Sequence, residues 1–438
     1  MTTDNPETNM DDRSEEIGND TVCNLLATIH KAIIDDDFAL YKSNIEKGGL
    51  NVNQRSQILH LICKQRTEVG TVEYLQEVVR LGCDVRAKDH NGRMPIHVAC
   101  SFANHRAVEF LVDLHPSLCN EVVESTLSPL IITIDSFSSE KEKEVSKTVD
   151  VLLRHGADVN KRIRDFHHTP LLCAVCHDKR TSDIVRVLLE AGADVTARSW
   201  MDRTPLIHAV SKKDQQSVRY LLGAKSDPDV VDSLGCTPLS LACLKQYAPI
   251  IQDLVQYGAD INSERSSNNK DLLPAVIQSA HHSITELLFK LGLRITSELI
   301  MLKNPVGCAI KKRSSEHLKI LLRENCPLDE PLHELPLIEA VQEENVDADV
   351  LDILIKSGAD FSDALLSCAI TAKPDDEALT GLVLRYHSDV RPLKTLCCFS
   401  VRKCLGLGIK AKVQRLVEDR VIPRALVKDI MLEHVLNV

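Results

Sequence analysis

Aromatic side chains make up only 3% of the 438 residues. A core of interlocked rings is therefore excluded, and packing falls to the Leu, Val, Ile and Ala that dominate the 44% hydrophobic content. No apolar run approaches the roughly 18 residues that a membrane helix needs. The N-terminal stretch lacks the basic start and apolar core of a secretion signal. Gly-x-Ser-x-Gly, the phosphate-binding loop and the dinucleotide fingerprint are all missing, so the sequence displays no enzyme site. Positive charge is in deficit, with a formal net charge of −11, which argues against a general nucleic-acid binder. The fifteen cysteines do not read as a disulfide framework. Several of them (Cys63, Cys100, Cys173, Cys368) sit within apolar helical stripes, where a free thiol behaves as a small hydrophobe. A reduced compartment, cytoplasmic or nuclear, is expected, and the sequon Asn19-Asp20-Thr21 would be idle there.

What the chain does have is repetition. In Asp165–Ala197, Thr169 is placed to cap a helix and Pro170 occupies its first position, where a missing N–H costs nothing. Leu171, Leu172 and Ala174 follow at helical spacing, with Ala174 small enough to let a neighbouring helix approach. Ile184, Val185, Leu188 and Leu189 mark a second apolar stripe. Gly192 ends it, and Ala193-Asp194-Val195 leads into an extended turn. Such a unit cannot bury its own apolar face and needs copies on either side. The copies are present. Gly48 to Gly82 and Gly258 to Gly292 each span 34 residues, and Gly156 to Gly192 spans 36. Gly192 to Gly258 and Gly292 to Gly358 each span 66, two units of 33, with Leu221-Leu222 and Leu321-Leu322 in the intervening second helices. Thr204-Pro205-Leu206 and Thr237-Pro238-Leu239 repeat the opening motif. Met94-Pro95-Ile96-His97, Ser128-Pro129-Leu130 and Leu335-Pro336-Leu337 are weaker versions. Gly156-Ala157-Asp158-Val159-Asn160, Gly258-Ala259-Asp260-Ile261-Asn262 and Gly358-Ala359-Asp360-Phe361 repeat the closing one.

A period near 33 with Thr-Pro-Leu and Gly-Ala-Asp-Val/Ile-Asn resembles the ankyrin repeat. The resemblance implies an all-α ankyrin-repeat solenoid of about ten helix–turn–helix units with extended finger turns, over residues 21–390. Residues 1–20, with seven acids against one arginine, read as a disordered acidic tail. The first units, near 25–53 and 57–87, are degenerate, as terminal repeats should be. The fourth unit carries about eight surplus residues, assigned to Ser138–Glu144 as a longer loop between its two helices. Units between 165 and 263 are the most regular, and beyond 264 the pattern loosens.

Cys173-Ala174-Val175-Cys176, with His167, His168 and His177 nearby, has the look of half a zinc site. No second ligand pair follows, and Ala174 falls in the packing slot, so core packing is expected, with no metal and no cofactor. Lys311-Lys312-Arg313 complements a helix C-terminus.

From Arg391 the period stops and the charge reverses, with ten Lys/Arg against four acids in residues 391–438. Leu393, Leu396, Cys397, Val401 and Cys404 fall on one helical face. Val413, Leu416 and Val417 suggest a second helix, and Pro423 opens a third. This resembles the three-helix SOCS box that follows the repeats in the ankyrin-repeat and SOCS-box family. Pro392, Leu393, Leu396, Cys397 and Val401 match that family's elongin-binding motif. The resemblance implies that they dock on elongin B and elongin C, and that Ile422-Pro423 contacts cullin-5. At the family's second proline this chain has Ala425, which weakens the cullin-5 expectation. The function implied is a non-catalytic substrate-recognition adaptor of a cullin-RING ubiquitin ligase, its ankyrin units gripping a protein substrate. The alternative is an ankyrin scaffold or inhibitor that acts by binding alone.

Overall fold

The computed structural model describes residues 24–46, 50–65, 71–123, 127–138, 140–162, 168–177, 181–262, 272–279, 281–295, 305–324, 326, 349–350 and 352–353. These are helices joined by turns, with one isolated antiparallel bridge between Val123 and Leu127. They divide into two compact units, one ending at Asp227 and the other beginning at Pro228. In the first unit the helix pairs are residues 24–34 with Phe38–Glu46, then Val52–Lys64 with Thr71–Arg80, and Pro95–Ser101 with His105–Leu114. Pro129–Asp135 with Glu142–Arg154, Pro170–Cys176 with Ser182–Glu190, and Pro205–Ser211 with Gln215–Gly223 complete it. The second unit holds Pro238–Leu244 with Ala248–Gln256, Leu272–Gln278 with His282–Lys290, and Pro305–Lys311 with Ser315–Arg323. Each unit is a stack of ankyrin helix pairs.

The opening motif works as its chemistry dictates. The Thr169 hydroxyl accepts the Leu172 N–H at 3.3 Å, and Thr237 accepts that of Ser240 at 3.1 Å. Proline at the first helical position gives up no bond, because that N–H has no partner inside a helix. Met94 has no cap oxygen, and the bond runs the other way. The Met94 N–H donates to Nδ1 of His97 at 3.2 Å, while Nε2 of the same ring lies 3.1 Å from the Glu121 carbonyl. An accepting Nδ1 and a donating Nε2 make this the neutral tautomer. Burial of the ring pushes its pKa below the ordinary histidine value.

The closing motif is equally explicit at Gly192 (φ +84°). Its N–H reaches the Leu189 carbonyl at 3.0 Å, and the Ala193 N–H reaches that of Leu188 at 3.0 Å. This is the Schellman arrangement, which needs a left-handed residue. In the intervening unit the same place is held by Lys225 at φ +64°. Its N–H bonds Leu222 and that of Ser226 bonds Leu221. The repeat was hard to see there because lysine bears the glycine conformation.

The core is a column of aliphatics. Leu171, Leu172, Val175, Ile184, Val185 and Leu188 are buried in the fifth pair. Small residues fill the slot where first helices meet, at Ala99, Thr133, Ala174 and Ala209 in the first unit and Ala242 and Ala309 in the second. Thr133 fits because its hydroxyl donates to the Pro129 carbonyl at 2.9 Å, so no polar atom is left unmatched.

The structure corrects the sequence reading in three places. The surplus of the fourth unit is only partly loop, because Glu142, Lys143 and Glu144 form the first turn of a 13-residue helix, Glu142–Arg154, against nine residues in Ser182–Glu190. Acidic side chains favour a helix N-terminus, which is why this charged stretch winds up. In the second pair the first helix opens earlier than the expected start of that unit near residue 57. Asn51 and Gln54 form a reciprocal capping box that starts it at Val52. Leu189 is half-buried, whereas Leu188 is fully enclosed.

Leu188→Ala should cost about 2–5 kcal/mol in urea unfolding, and Leu189→Ala clearly less. Lys225→Gly should stabilise by about 0.5–1 kcal/mol, the left-handed strain relieved being partly offset by a looser unfolded chain. The depressed folded-state pKa of His97 means that its contribution is complete above the ordinary histidine value of about 6.5. That contribution drains away as pH falls towards the folded-state value. Urea midpoints followed from about pH 7.5 to 5 should fall more steeply for the wild-type chain than for His97→Gln.

Candidate protein-binding face

The fingers are joined to one another by side-chain amides. Nδ2 of Asn160 donates to the Gly192 carbonyl at 3.3 Å and its Oδ1 accepts the Asp194 N–H at 2.8 Å. Asn120 treats Gly156 and Asp158 the same way, at 2.9 and 2.8 Å. In the second unit Asn262 repeats it on Gly292 and Arg294, at 3.1 and 2.9 Å. Each such amide stands in for one peptide of a β-ladder, so the fingers line up without forming a sheet.

Beyond the ladder each finger closes in a tight turn. The Asp89 carboxylate accepts the N–H groups of Asn91 and Arg93 at 2.9 and 2.8 Å. Asp232 accepts those of Leu234 and Cys236 at 3.0 and 2.9 Å. Between Ser199 and Arg203 the closure is made by backbone bonds, Ser199 N–H to the Arg203 carbonyl at 3.0 Å and Asp202 N–H to the Ser199 carbonyl at 2.9 Å. The tips project. His90 and Asn91 are exposed, and in the second unit Leu234 is 62% exposed. Trp200, the one tryptophan of the chain, is 69% exposed. The sequence reading passed over Trp200. Its signal was available: in register, the sister turns carry the polar His90 and Ser233 where this one carries an indole.

Next to Trp200 in the chain, Ser199 meets a histidine that two cations influence. The Ser199 hydroxyl is 3.1 Å from Nε2 of His208 on the helix Pro205–Ser211, which ties the finger to the first helix of its pair. Burial above all, then the positive charges of Arg203, His168 and Lys212, bring His208 down to about 4. The Cys176 thiol, on the neighbouring helix Pro170–Cys176, is pushed up to about 11 by burial against the pull of Lys212 and Arg203. Two separate groups thus register the same pair of cations. Asp202 pairs with Arg198 at 2.7 Å, and Asp214 accepts the Ser217 N–H at 3.2 Å.

Among the described residues no group of three or more His, Cys, Asp or Glu is placed to hold a metal ion. Cys173 is buried, its thiol pushed well up by burial, and such a group is a poor donor of thiolate to zinc. Lys311 closes the last turn of Pro305–Lys311, as expected. Among the described residues no helix is long and apolar enough to cross a membrane. Pro392, Leu393, Leu396, Cys397, Val401, Ile422 and Pro423 lie outside the described residues, as do the acidic segment 1–20 and the closing unit at Gly358.

Comparison with known proteins agrees with this architecture. Residues 166–200 match the ankyrin repeat family model, and residues 198–265 match the model for three ankyrin copies. A stretch of 172 residues, 39% of the chain, is 30% identical to L-asparaginase of Dirofilaria immitis and covers 27% of that protein. A stretch of 255 residues, 58% of the chain, is 25% identical to ankyrin repeat protein nuc-2 of Neurospora crassa and covers 23% of it. The chain thus spans about a quarter of the length of these relatives. Among solved structures, the human ASB11 ankyrin repeat domain aligns over 54% of this chain and 99% of that one, at 21% identity and a TM-score of 0.41. Ankyrin repeats are protein-binding modules.

Asn160→Ala should remove both finger bonds and cost about 1–2 kcal/mol, the worth of two partly exposed hydrogen bonds. Urea unfolding gives the change directly. Hydrogen exchange at the Asp194 amide, which loses its acceptor, should rise well beyond the effect on core amides.

Proposed function

We propose that this chain is a substrate-recognition adaptor of a cullin-RING ubiquitin ligase. The ankyrin repeats hold a target protein, and residues 391–438 recruit elongin B and elongin C. The observation that carries this reading is the run Pro392, Leu393, Leu396, Cys397 and Val401, which follows the elongin-binding motif of a SOCS box position by position. Two further features support it. The run begins where the 33-residue period ends, and the charge turns from acidic to basic at the same place.

Leu393 and Cys397 are four residues apart in the sequence, the spacing of one helical turn, so both would enter one apolar pocket on elongin C. Burying a leucine side chain is worth about 1.5–3 kcal/mol, and an anchor at the centre of an interface can exceed that. Ile422 and Pro423 would meet cullin-5, a weaker contact because Ala425 replaces the second proline of that motif. Catalysis is assigned to other subunits. The adaptor supplies proximity, raising the effective concentration of substrate lysines near the conjugating enzyme. A cytoplasmic or nuclear site of action goes with this reading.

Leu393→Pro combined with Cys397→Phe should abolish co-purification of elongin B and elongin C, while the ankyrin stack melts unchanged. Ala425→Pro should strengthen cullin-5 recruitment. Wild-type protein that fails to bind the elongins at micromolar concentration would overturn the ligase reading and leave a scaffold or inhibitor acting by binding alone.

A further inference from the structure

We propose that Asn91–Gly92, in the finger turn Asp89–Arg93, is a site of spontaneous deamidation, and that the closed turn holds the reaction in check until it opens. The modification goes beyond the ligase reading and does not depend on it.

Asn91–Gly92 is the one Asn-Gly pair in the chain, and Asn91 is exposed. Asparagine is among the chemically labile residues, because the backbone nitrogen that follows it can reach the side-chain carbonyl carbon and close a cyclic imide. Glycine in the next position hinders that approach least, having no Cβ and the freest backbone. The sister turns hold nothing equivalent. In register with Asn91 they carry Met201 and Leu234, which have no amide. The left-handed residue that follows is Gly92 at φ +71° here, Asp202 at +58° in one sister turn and Gly235 at +73° in the other. All three turns thus share a shape, and only this one has the reactive pair.

The reaction needs the chain and water alone. The Gly92 nitrogen bonds to Cγ of Asn91, the Cγ–Nδ2 bond breaks, and ammonia leaves with the proton that the Gly92 nitrogen gave up. Water then opens the imide. Attack at Cγ gives aspartate, and attack at the main-chain carbonyl carbon gives isoaspartate, in which the chain runs through the side chain.

The native turn opposes the first step. A peptide nitrogen attacks only after losing its proton, because resonance otherwise ties up its lone pair. The Gly92 N–H donates to the Asp89 carbonyl at 2.9 Å, so deprotonation costs that bond as well. The Asn91 amide is held too, its Nδ2 donating to Nε2 of His90 at 3.1 Å. Asp89 fixes the rest of the turn. Its carboxylate accepts the N–H groups of Asn91 and Arg93 at 2.9 and 2.8 Å, its own N–H donates to the Arg93 carbonyl at 2.9 Å, and it pairs with the Arg93 guanidinium at 3.0 Å. Opening releases these restraints together. Isoaspartate then lengthens the main chain between Asp89 and Arg93, so their paired bonds lose register. Either product adds a carboxylate to an exposed tip.

The test holds the full-length chain at neutral pH, with samples digested at intervals and mapped by mass spectrometry. Isoaspartate is scored by enzymatic methylation of the peptide that contains position 91. Conversion at Asn91 should run several-fold faster in urea than in the native chain, with folded Asp89→Ala between the two. Gly92→Ala in urea should slow it several-fold, because a Cβ obstructs the attack where no turn is left to protect. No conversion at Asn91 in urea would overturn the proposal. Equal rates in native and unfolded chains, or a folded Asp89→Ala no faster than the wild type, would overturn the protective role of the turn. Circular dichroism checks that Asp89→Ala keeps its helices, and if it does not, the ratio of native to urea rates decides alone. No elongin is present in these measurements, so their outcome is independent of the test of the ligase reading.

Discussion

The structure depends on one constraint: a pair of short helices exposes an apolar face that only another pair can cover. Seven-residue first helices such as Pro170–Cys176 and Pro205–Ser211 are too short to be stable alone in water. Burial between neighbours holds them, and the finger amides set the register of that burial. Asn160 bonds at once to a carbonyl and an N–H of the next finger, so a residue added between Asn160 and Gly192 must be taken up away from those contacts. The fourth unit shows where this is tolerated. Its surplus lies between and within its two helices, at Ser136–Lys141 and in the extra turn of Glu142–Arg154, and Asn120 still reaches Gly156 and Asp158.

Much of this could be read from the sequence because each motif residue has a single local task. Thr169, Pro170 and Gly192 do what their chemistry allows almost regardless of surroundings: accept a bond, forgo one, turn left-handed. Legibility failed where the same task was done by a different residue. Lys225 adopts the left-handed conformation without being glycine, and His97 caps Met94 from inside the helix instead of from the cap position. It failed again where tertiary burial decides. Leu188 and Leu189 are chemically identical neighbours, and only the angle each makes with the next pair separates the enclosed one from the half-buried one.

The candidate sites divide along the same line. Pro392, Leu393, Leu396, Cys397 and Val401 lie in one short run of the sequence, so their resemblance to a docking motif can be read along the chain. The surroundings of His208, which include Arg203, Lys212 and His168, are assembled from two consecutive repeats, between sequence positions 168 and 212. No window along the chain contains them as a motif. What brings them together is the stacking of pairs, with Ser199 on His208 as the fixed point between finger and helix.

That division explains why a finger tip can carry recognition at little structural cost. In Asp89–Arg93 and Asp232–Cys236 the turn is held by one carboxylate and the backbone, and in Ser199–Arg203 by the backbone with Arg198 bonded across it to Asp202. The side chain at the apex takes no part in either closure. His90, Trp200 and Ser233 therefore occupy one register position with nothing chemical in common. The Ala slot of the first helices shows the opposite case. There, contact with a neighbouring helix admits only a side chain as small as Ala99, Ala174 or Ala209, or a Thr133 whose hydroxyl is satisfied within its own helix. Packing thus leaves the apex of these three turns open to unlike side chains while it restricts the slot between first helices to small ones.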